Sequence, residues 1–557
     1  MKNFVSKNHR LLFYSSWLLL SLVQSAFTEL LDDEAYYWVY SKFPAWGYFD
    51  HPPMIAVMIR AGYSVFHNEL GVRLVGAFMN LFSLAIIEKL VPGKKPKLFY
   101  AIALSLAILQ VGGFLAAPDI PLIFFTALFF LAYKKFIARA SFLNILFLAL
   151  VMALLLYSKY HGVLVIFFVL VSNLKLFTRY HIYTVGVLAL LFFIPHIYWQ
   201  YQHDWISINY HLFESNVDTY KFSYTVEYLL GQLLMAGPVA GFILLPAAFL
   251  YKPDKTDRVE KGLKFTLYGI YIFFLVSSFK GSVEANWTSP AIVPLIILSH
   301  GFLYRHLKWQ KFLYKTLPVT LFIVFVIRFA MIIDFIPVKG IKRRFHSWNH
   351  WPALMKEKTK GLPVVWNSSY QRASKYWFYT GQVSYSLNSY RDRKNNYNYW
   401  PLEDSLLLKP VYNMDVHNVA LFPDTMHTPM RTIGYRYDPS FVSFSKINID
   451  VGENNIEMNN IDTLDLHCNV SMSHIYRQLL TEIDPNNFVM KVGVFGSKQW
   501  IKDIPLAISP ARLSGLHRFV ISIPMQLENG NYDLRFSLQW KDYPGSYNSK
   551  KIGLQVQ

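Results

Sequence analysis

A single cysteine, Cys468, in 557 residues excludes a disulfide framework and any thiolate metal cluster. Charge is also scarce. Asp, Glu, Lys and Arg make up 16% of the chain, against roughly 25% in an ordinary soluble domain. Glycine and proline, 27 of each, are too few for a fibrous or low-complexity chain. There is no internal repeat, no Walker loop and no dinucleotide fingerprint, so no nucleotide cofactor is expected. What the chain does have is apolar surface: 53% hydrophobic and 17% aromatic residues. Basic residues outnumber acidic ones by 54 to 35, a net charge of +19. In a soluble protein that excess suggests nucleic acid. In a membrane protein it reflects cytoplasmic loops and anionic lipid head groups, so membrane lipids are expected as partners and nucleic acid is not.

Apolar stretches recur from residue 11 to about residue 336 and then stop. Eleven candidate spans follow: 11–30, 70–91, 98–117, 119–138, 142–158, 161–174, 182–199, 226–250, 263–279, 288–304 and 316–336. A bilayer core of about 30 Å needs about 20 helical residues, so most qualify, and 161–174 is short. The loops alternate in charge. Loops 1–10, 92–97, 134–139, 175–181, 252–264 and 305–315 hold 20 Lys or Arg, and the alternate loops hold five. The positive-inside rule then puts the N-terminus in the cytoplasm and everything after residue 337 outside. No small-residue cleavage site follows the first apolar run, which reads as a span rather than a signal peptide.

Beyond residue 337 the pattern changes. Gly361–Trp366 followed by Ser374–Tyr379 reads as a strand and then a helix. From about residue 441 apolar and polar residues alternate, as in Arg518–Pro524 and Tyr532–Trp540, with turn residues at Glu528–Asn531. Period-two strands with Asn/Gly turns predict a small antiparallel sandwich. The expected domains are a membrane body at 1–337, an extracytoplasmic α/β segment at 338–440 and a β-sandwich at 441–557.

The long loops 31–69 and 200–228 fall on the expected outer side and mix acids, His, Trp and Tyr. The first opens with Asp32-Asp33-Glu34 just after a span. Acids favour helix N-termini, which alone accounts for such a start. A second signal, Gly47-Tyr48-Phe49-Asp50-His51-Pro52-Pro53, is a stiff elbow, because paired prolines cannot continue a helix. A plain turn does not explain why this elbow returns another acid toward the same face. Asp119 begins an otherwise apolar span, where an acid is either functional or a helix cap.

Asp33-Glu34 with Tyr36-Tyr37, then Gly47-Tyr48 and His51-Pro52-Pro53, resemble the first outer loop of the family 39/83-type glycosyltransferases. That group includes protein O-mannosyltransferases and bacterial aminoarabinose transferases acting on lipid A. The resemblance continues in Ala117-Pro118-Asp119, Ser158-Lys159-Tyr160, the run Pro195–Trp205 and Glu284-Ala285-Asn286-Trp287. Asn367–Tyr370 and Phe378–Gly381 look like the outer domain of bacterial members. Each motif is weak alone, but their order and sidedness are specific over roughly residues 10–335.

The resemblance implies a polytopic α-helical membrane protein of GT-C fold, with about 11–13 transmembrane helices. It implies an inverting transfer of a sugar from a polyprenyl-phosphate donor, undecaprenyl phosphate in bacteria, to an extracytoplasmic lipid or protein acceptor. The location implied is a bacterial inner membrane, with the C-terminal domain periplasmic and the protein a monomer. By position Asp33 carries the essential carboxylate, assisted by Glu34 and Asp119. Asp50 and His211, with His203 as second choice, are the implied ligands of a divalent metal ion, for which His and carboxylate suit zinc. Two departures argue against aminoarabinose as the donor: Asp50-His51 replaces Glu-Lys before the prolines, and Tyr36 replaces an Arg.

The chemistry of the residues agrees. Glycosyl transfer by single displacement needs a carboxylate to take the acceptor proton. It also needs cations to steady a departing lipid phosphate. His51, Arg60, Arg73, Lys159 and Lys280 are the candidates, and for each basic residue snorkelling is the plain alternative. Tyr36, Tyr37, Trp205, Glu284 and Trp287 are expected to shape the substrate site. A transporter or flippase of lipid-linked sugars shares this composition. It is expected to carry polar residues at the bilayer midplane, whereas here the acids lie at span edges.

Overall fold

Each of the eleven apolar stretches is largely helical, as a backbone removed from water must satisfy its own N–H and C=O groups. The structure, a computed structural model, describes all residues except 1, 94, 215–218, 349, 454, 460–462 and 497–498. The chain divides into two units, Met1–His346 and Ser347–Gln557.

Among the described residues of the first unit five helices are long and apolar enough to cross a membrane: Glu69–Leu90, Asp119–Ala138, Tyr180–Gln202, Ala285–Arg305 and Leu307–Ile332. Lys7–Phe27 and Asp32–Lys42, bent by 88° at their junction, make a sixth if taken as one broken span. Phe142–Ser158 and Gly162–Ser172 are shorter apolar helices. The expected spans 98–117 and 226–250 are interrupted. The first is Pro96–Ser105 followed by a π-turn at Ile108–Gly112, and the second is Phe222–Met235 followed by Gly241–Leu250. The two breaks touch. Gly237 has φ +117°, and a Cβ there would meet the Ser105 carbonyl oxygen at 2.2 Å, so only glycine fits this crossing. Phe142, Phe222 and Phe322 remain exposed on the surface of this unit, as a lipid-facing belt requires.

The 88° bend is held by one ion pair. Glu34, in the first turn of Asp32–Lys42, takes Arg73 of Glu69–Leu90 in a two-pronged contact of 2.7 and 2.5 Å. Arg73 also donates to the carbonyls of Ser25, Thr28 and Glu29 at the end of the first helix, at 3.0, 2.6 and 3.0 Å. All five guanidinium N–H groups are thereby used. Glu34 further accepts from the backbone N–H of Leu31 and of Ala116. Both side chains are buried.

The second unit contains three sheets. In the first, β1 (Val364–Asn367) runs parallel to both β2 (Ser384–Leu387) and β3 (Val411–Asp415). Antiparallel β5 (Thr432–Asp438) and β4 (Asp424–His427) complete the order β2-β1-β3-β5-β4. Helix Tyr370–Thr380 crosses from β1 to β2, matching the expected strand and helix. The remaining strands are β6 (Asn448–Asp450), β7 (Asn455–Met458), β8 (Thr463–Ser471), β9 (Phe488–Gly496), β10 (Gln499–Leu506), β11 (Arg518–Pro524), β12 (Gly530–Trp540) and β13 (Ile552–Val556). They form sheets of order β10-β9-β12-β13-β7 and β11-β8-β6. β8 alternates exposed and buried residues along its whole length. The β13–β7 pair is parallel, so these strands are not purely antiparallel as expected.

Breaking the buried pair one-sidedly should be severe. Arg73→Met strands a desolvated carboxylate and should cost about 3–5 kcal/mol, read as a fall in thermal unfolding temperature in detergent. Arg10→Ala, which breaks a mostly exposed pair with Glu88, should cost less than about 1 kcal/mol. Equal losses in the two variants would contradict the assigned role of the pair.

Candidate active site

Helix Asp32–Lys42 starts with three acids at its N-terminus, where the backbone dipole favours them. Helical spacing puts Tyr36 and Tyr40 one turn apart on the face toward the proline elbow. Both hydroxyls donate to Oδ2 of Asp50 at 3.2 Å. Tyr37, beside them, meets His51 Nε2 at 3.0 Å. The elbow closes on itself through the Tyr48 N–H and the His51 carbonyl at 3.0 Å.

The long loop reaches the same elbow. Helix Tyr180–Gln202 ends in a turn where Asp204 and Trp205 both take left-handed φ, 54° and 55°. The reversal lets the Ser207 hydroxyl bond the Tyr48 carbonyl and His211 Nε2 bond the Asp50 carbonyl, each at 2.8 Å. His196 Nδ1 lies 2.7 Å from the Trp46 carbonyl oxygen, and Gln200 donates to the Tyr160 hydroxyl at 2.8 Å.

A second cluster forms around Asp119. Oδ1 accepts from Lys159 Nζ at 2.8 Å and from the Ser289 hydroxyl at 2.7 Å, and Oδ2 accepts from the Asn286 amide at 2.9 Å. Three separate turns thus converge on one buried carboxylate. His161, next to this pair, packs on Trp287 with ring centroids 5.8 Å apart. The two clusters share one field. Burial holds His51 at about 3, with Lys159 and His211 pushing the same way and Asp50 and Asp119 opposing. His51 Nδ1 and His161 Nδ1 are buried with no hydrogen-bond partner among the described residues. Two such orphaned atoms in one polar cluster mark a place for a ligand's hydroxyl or N–H groups.

The expected site residues therefore separate. Asp50, His51, Tyr36, Tyr37, Asp119, Lys159, His211 and Trp287 are brought together around the elbow and the Asp119 cluster. Glu34 and Arg73 lie beside them but are locked on each other. Arg73 has no donor left for a phosphate, which corrects its expected role. Of the three carboxylates expected to be catalytic, Asp33 is exposed, while Glu34 and Asp119 are buried and multiply hydrogen-bonded. Arg60 instead donates to the Ser41 carbonyl near the far end of Asp32–Lys42, at 3.2 Å. Lys280 and Glu284 are exposed, and Trp205 serves the turn after Gln202. His203 stacks on Trp199 at 4.1 Å.

Asn286, Ser289, Tyr40 and His161 were not among the expected site residues. Asn286 sits in the Glu284–Trp287 motif, Ser289 follows that motif by two residues, and His161 follows Lys159 by two, so their neighbourhoods were visible. Asp50 and His211 meet through a main-chain carbonyl, which requires His211 Nε2 to carry a proton. A metal would have to draw that nitrogen away. Among the described residues no three His, Cys, Asp or Glu side chains are grouped to hold an ion. In this arrangement the residues do not fit the expected metal.

Comparisons with known proteins agree with this architecture. A family profile described as dolichyl-phosphate-mannose-protein mannosyltransferase matches residues 50–199. The lipid A galacturonosyltransferase RgtD of Rhizobium johnstonii is 26% identical over 322 residues, covering 55% of this chain and 67% of that protein. The crystal structure of ArnT from Cupriavidus metallidurans in the apo state superposes with a TM-score of 0.57 at 14% identity, covering 77% of this chain and 98% of ArnT. The undecaprenyl phosphate-bound form gives a TM-score of 0.56 with the same coverage. The fold is GT-C, and the chain is a multi-pass membrane glycosyltransferase, as the motifs led one to expect.

Folded His51 stays neutral, while unfolded His51 takes up a proton below its ordinary value of 6.5. Its contribution to stability is complete above that value and is lost as the pH falls toward 3. The loss should reach about 1.4 kcal/mol per pH unit. Thermal unfolding near pH 7 and near pH 5 should show a steeper fall for the natural protein than for His51→Asn. Parallel falls would refute the buried neutral state.

Proposed function

We propose that this protein transfers a sugar from a polyprenyl-phosphate carrier to a hydroxyl of a lipid A-type glycolipid on the extracytoplasmic side of a bacterial inner membrane. The observation that carries this reading is the Asp119–Lys159 cluster beside the Asp50-His51 elbow, next to the helix bearing exposed Asp33. RgtD by its name acts on lipid A, and ArnT has been crystallised with undecaprenyl phosphate. Both support the donor and acceptor classes.

In the reaction the acceptor oxygen attacks the anomeric carbon as the bond from that carbon to the carrier phosphate breaks, which inverts the centre. The acceptor proton passes to the Asp33 carboxylate, and the electron pair of the broken bond leaves on the phosphate. Asp33 suits the base because it is exposed, whereas Glu34 and Asp119 are buried. Lys159 spends one ammonium N–H on Asp119, and its remaining N–H groups suit the departing phosphate. His51 and His161 offer buried ring nitrogens to the sugar hydroxyls.

The transporter reading gains one point from the interrupted helices, a feature of transporters. Neither break, at 106–107 or at 236–240, contains a titratable residue, and the polar groups cluster elsewhere. Asp33→Asn should lower transfer from a labelled polyprenyl-phosphate sugar by about 10²–10⁴-fold while donor binding persists. Unchanged transfer in that variant would overturn the role of Asp33. Carrier translocation with no transfer by the natural protein would favour the transporter.

A further inference from the structure

The second unit contains a polar cavity of about 420 Å³ that the transfer reaction does not use. It lies at the carboxyl ends of the parallel strands. Asn367 ends β1 and Ser368 follows it, Ser389–Asp392 follow β2, and Asp415 ends β3 with His417 and Asn418 after it. The chain leaves β1 for β2 on one side and returns to β3 on the other. Ligands of open α/β sheets bind at such switch points. Lys491 and Gln539 from the β9–β12 sheet close the opposite wall.

The floor is built rather than incidental. Asn367, Asn413 and Asp415 are buried and bonded in series: Asn413 donates to Asn367 at 2.7 Å, and Asn367 donates to Asp415 at 3.0 Å. The Asp415 carboxylate also accepts the backbone N–H groups of His417 and Asn418, at 2.6 and 3.1 Å. Ser368, in a left-handed conformation with φ 47°, accepts the Ser389 N–H at 3.1 Å and ties the first two strand ends together.

The basic groups Lys491 and Arg391 and the carboxylate of Asp542 are already matched, and Asp415 is met by three hydrogen bonds, which leaves the single exposed carboxylate of Asp392 at the rim. Lys491 bonds Asp503 at 2.9 Å and Gln539 at 2.6 Å, Arg391 bonds Asp503 at 2.7 Å, and Asp542 takes Arg436 at 2.5 Å. A phosphate site needs uncommitted cations, and a cation site needs uncommitted carboxylates. A nucleotide site at such a turn also needs glycines for close backbone approach, whereas the turn after β1 is Asn367-Ser368-Ser369-Tyr370. What the walls still offer is mixed: serine hydroxyls, the Asn418 amide and spare N–H groups of Lys491 and Arg391. That inventory pairs with a ligand that donates and accepts at every position.

We infer that this cavity is a saccharide-binding site, taking one or two polyhydroxylated sugar rings of low charge. Its volume lies in the range of small-molecule pockets, about 300–1,000 Å³. The inference stands on the second unit alone and does not rest on the proposed transfer reaction.

Saturation-transfer NMR on the full-length protein, in a detergent without a sugar head group, tests it. The probes are methyl α-D-mannopyranoside, methyl α-D-galactopyranoside and D-galacturonic acid. At least one should bind with millimolar affinity, and Asn418→Trp, which fills the cavity from its exposed rim, should weaken that binding by about tenfold or more. Asn418→Ala should weaken it less, with an unchanged thermal transition in both variants. Asp33→Asn, in the first unit, should leave it unchanged whether or not it abolishes transfer. No binding by any probe, equal binding in Asn418→Trp, or loss in Asp33→Asn instead would overturn the site. Displacement of the bound sugar by inorganic phosphate would overturn its assignment to a neutral glycan.

Discussion

A charged pair at the edge of a membrane is costly unless every donor and acceptor on it is met. Glu34 and Arg73 meet that condition. The guanidinium spends its five N–H groups on Glu34 and on three carbonyls where the first helix ends. The carboxylate adds the backbone N–H groups of Leu31 and Ala116. One pair therefore joins the end of the first span, the start of Asp32–Lys42, the helix Glu69–Leu90 and the turn before Asp119. The bend of 88° follows from those bonds.

Neighbouring carboxylates thus take different work from their surroundings. Glu34 is buried against a permanent cation and holds the architecture. Asp119 is buried against a lysine, an amide and a hydroxyl, and positions that lysine. Asp50 sits under two tyrosine hydroxyls and anchors the elbow. Asp33, in the same first turn as Glu34, is exposed. Identity and spacing alone do not separate these surroundings, whereas burial does.

The helices of the first unit were legible because long apolar runs leave strong marks. The expected outer turns, around residues 50, 119, 159, 211 and 286, do meet in space, linked by bonds such as Asp119–Lys159, Asp119–Asn286 and Asp50–His211. The interruptions at Ser105 and Gly237 were not legible, since an apolar run reads the same whether its helix is continuous or broken. Arg73 was misread as a phosphate ligand for a related reason. It stands at the expected outer edge, and only the fold shows that a partner 39 residues away has taken its donors. In the second unit the alternating strands β8, β11 and β12 were plain. The parallel β13–β7 pair was not, because strand direction within a sheet is set by long-range chain return and not by local pattern.

The two units differ in the chemistry of their polar groups, and the difference fits the two ends of a glycolipid. In the first unit a lysine is held ready on a buried carboxylate, and a neutral His51 keeps its charge out of the same pocket. Charge acts most strongly where water is excluded. In the second unit the cavity's ion pairs are closed on each other, and amides and hydroxyls are left to face a ligand. A sugar in water gains little from an isolated charge and much from several directional hydrogen bonds, since a site with an unmet polar group rejects the wrong ring. Charge for the carrier and hydrogen-bond geometry for the glycan are therefore separable tasks. A chain that divides them between a membrane body and a soluble unit can change its glycan preference without disturbing the Glu34–Arg73 pair on which the transfer site is built.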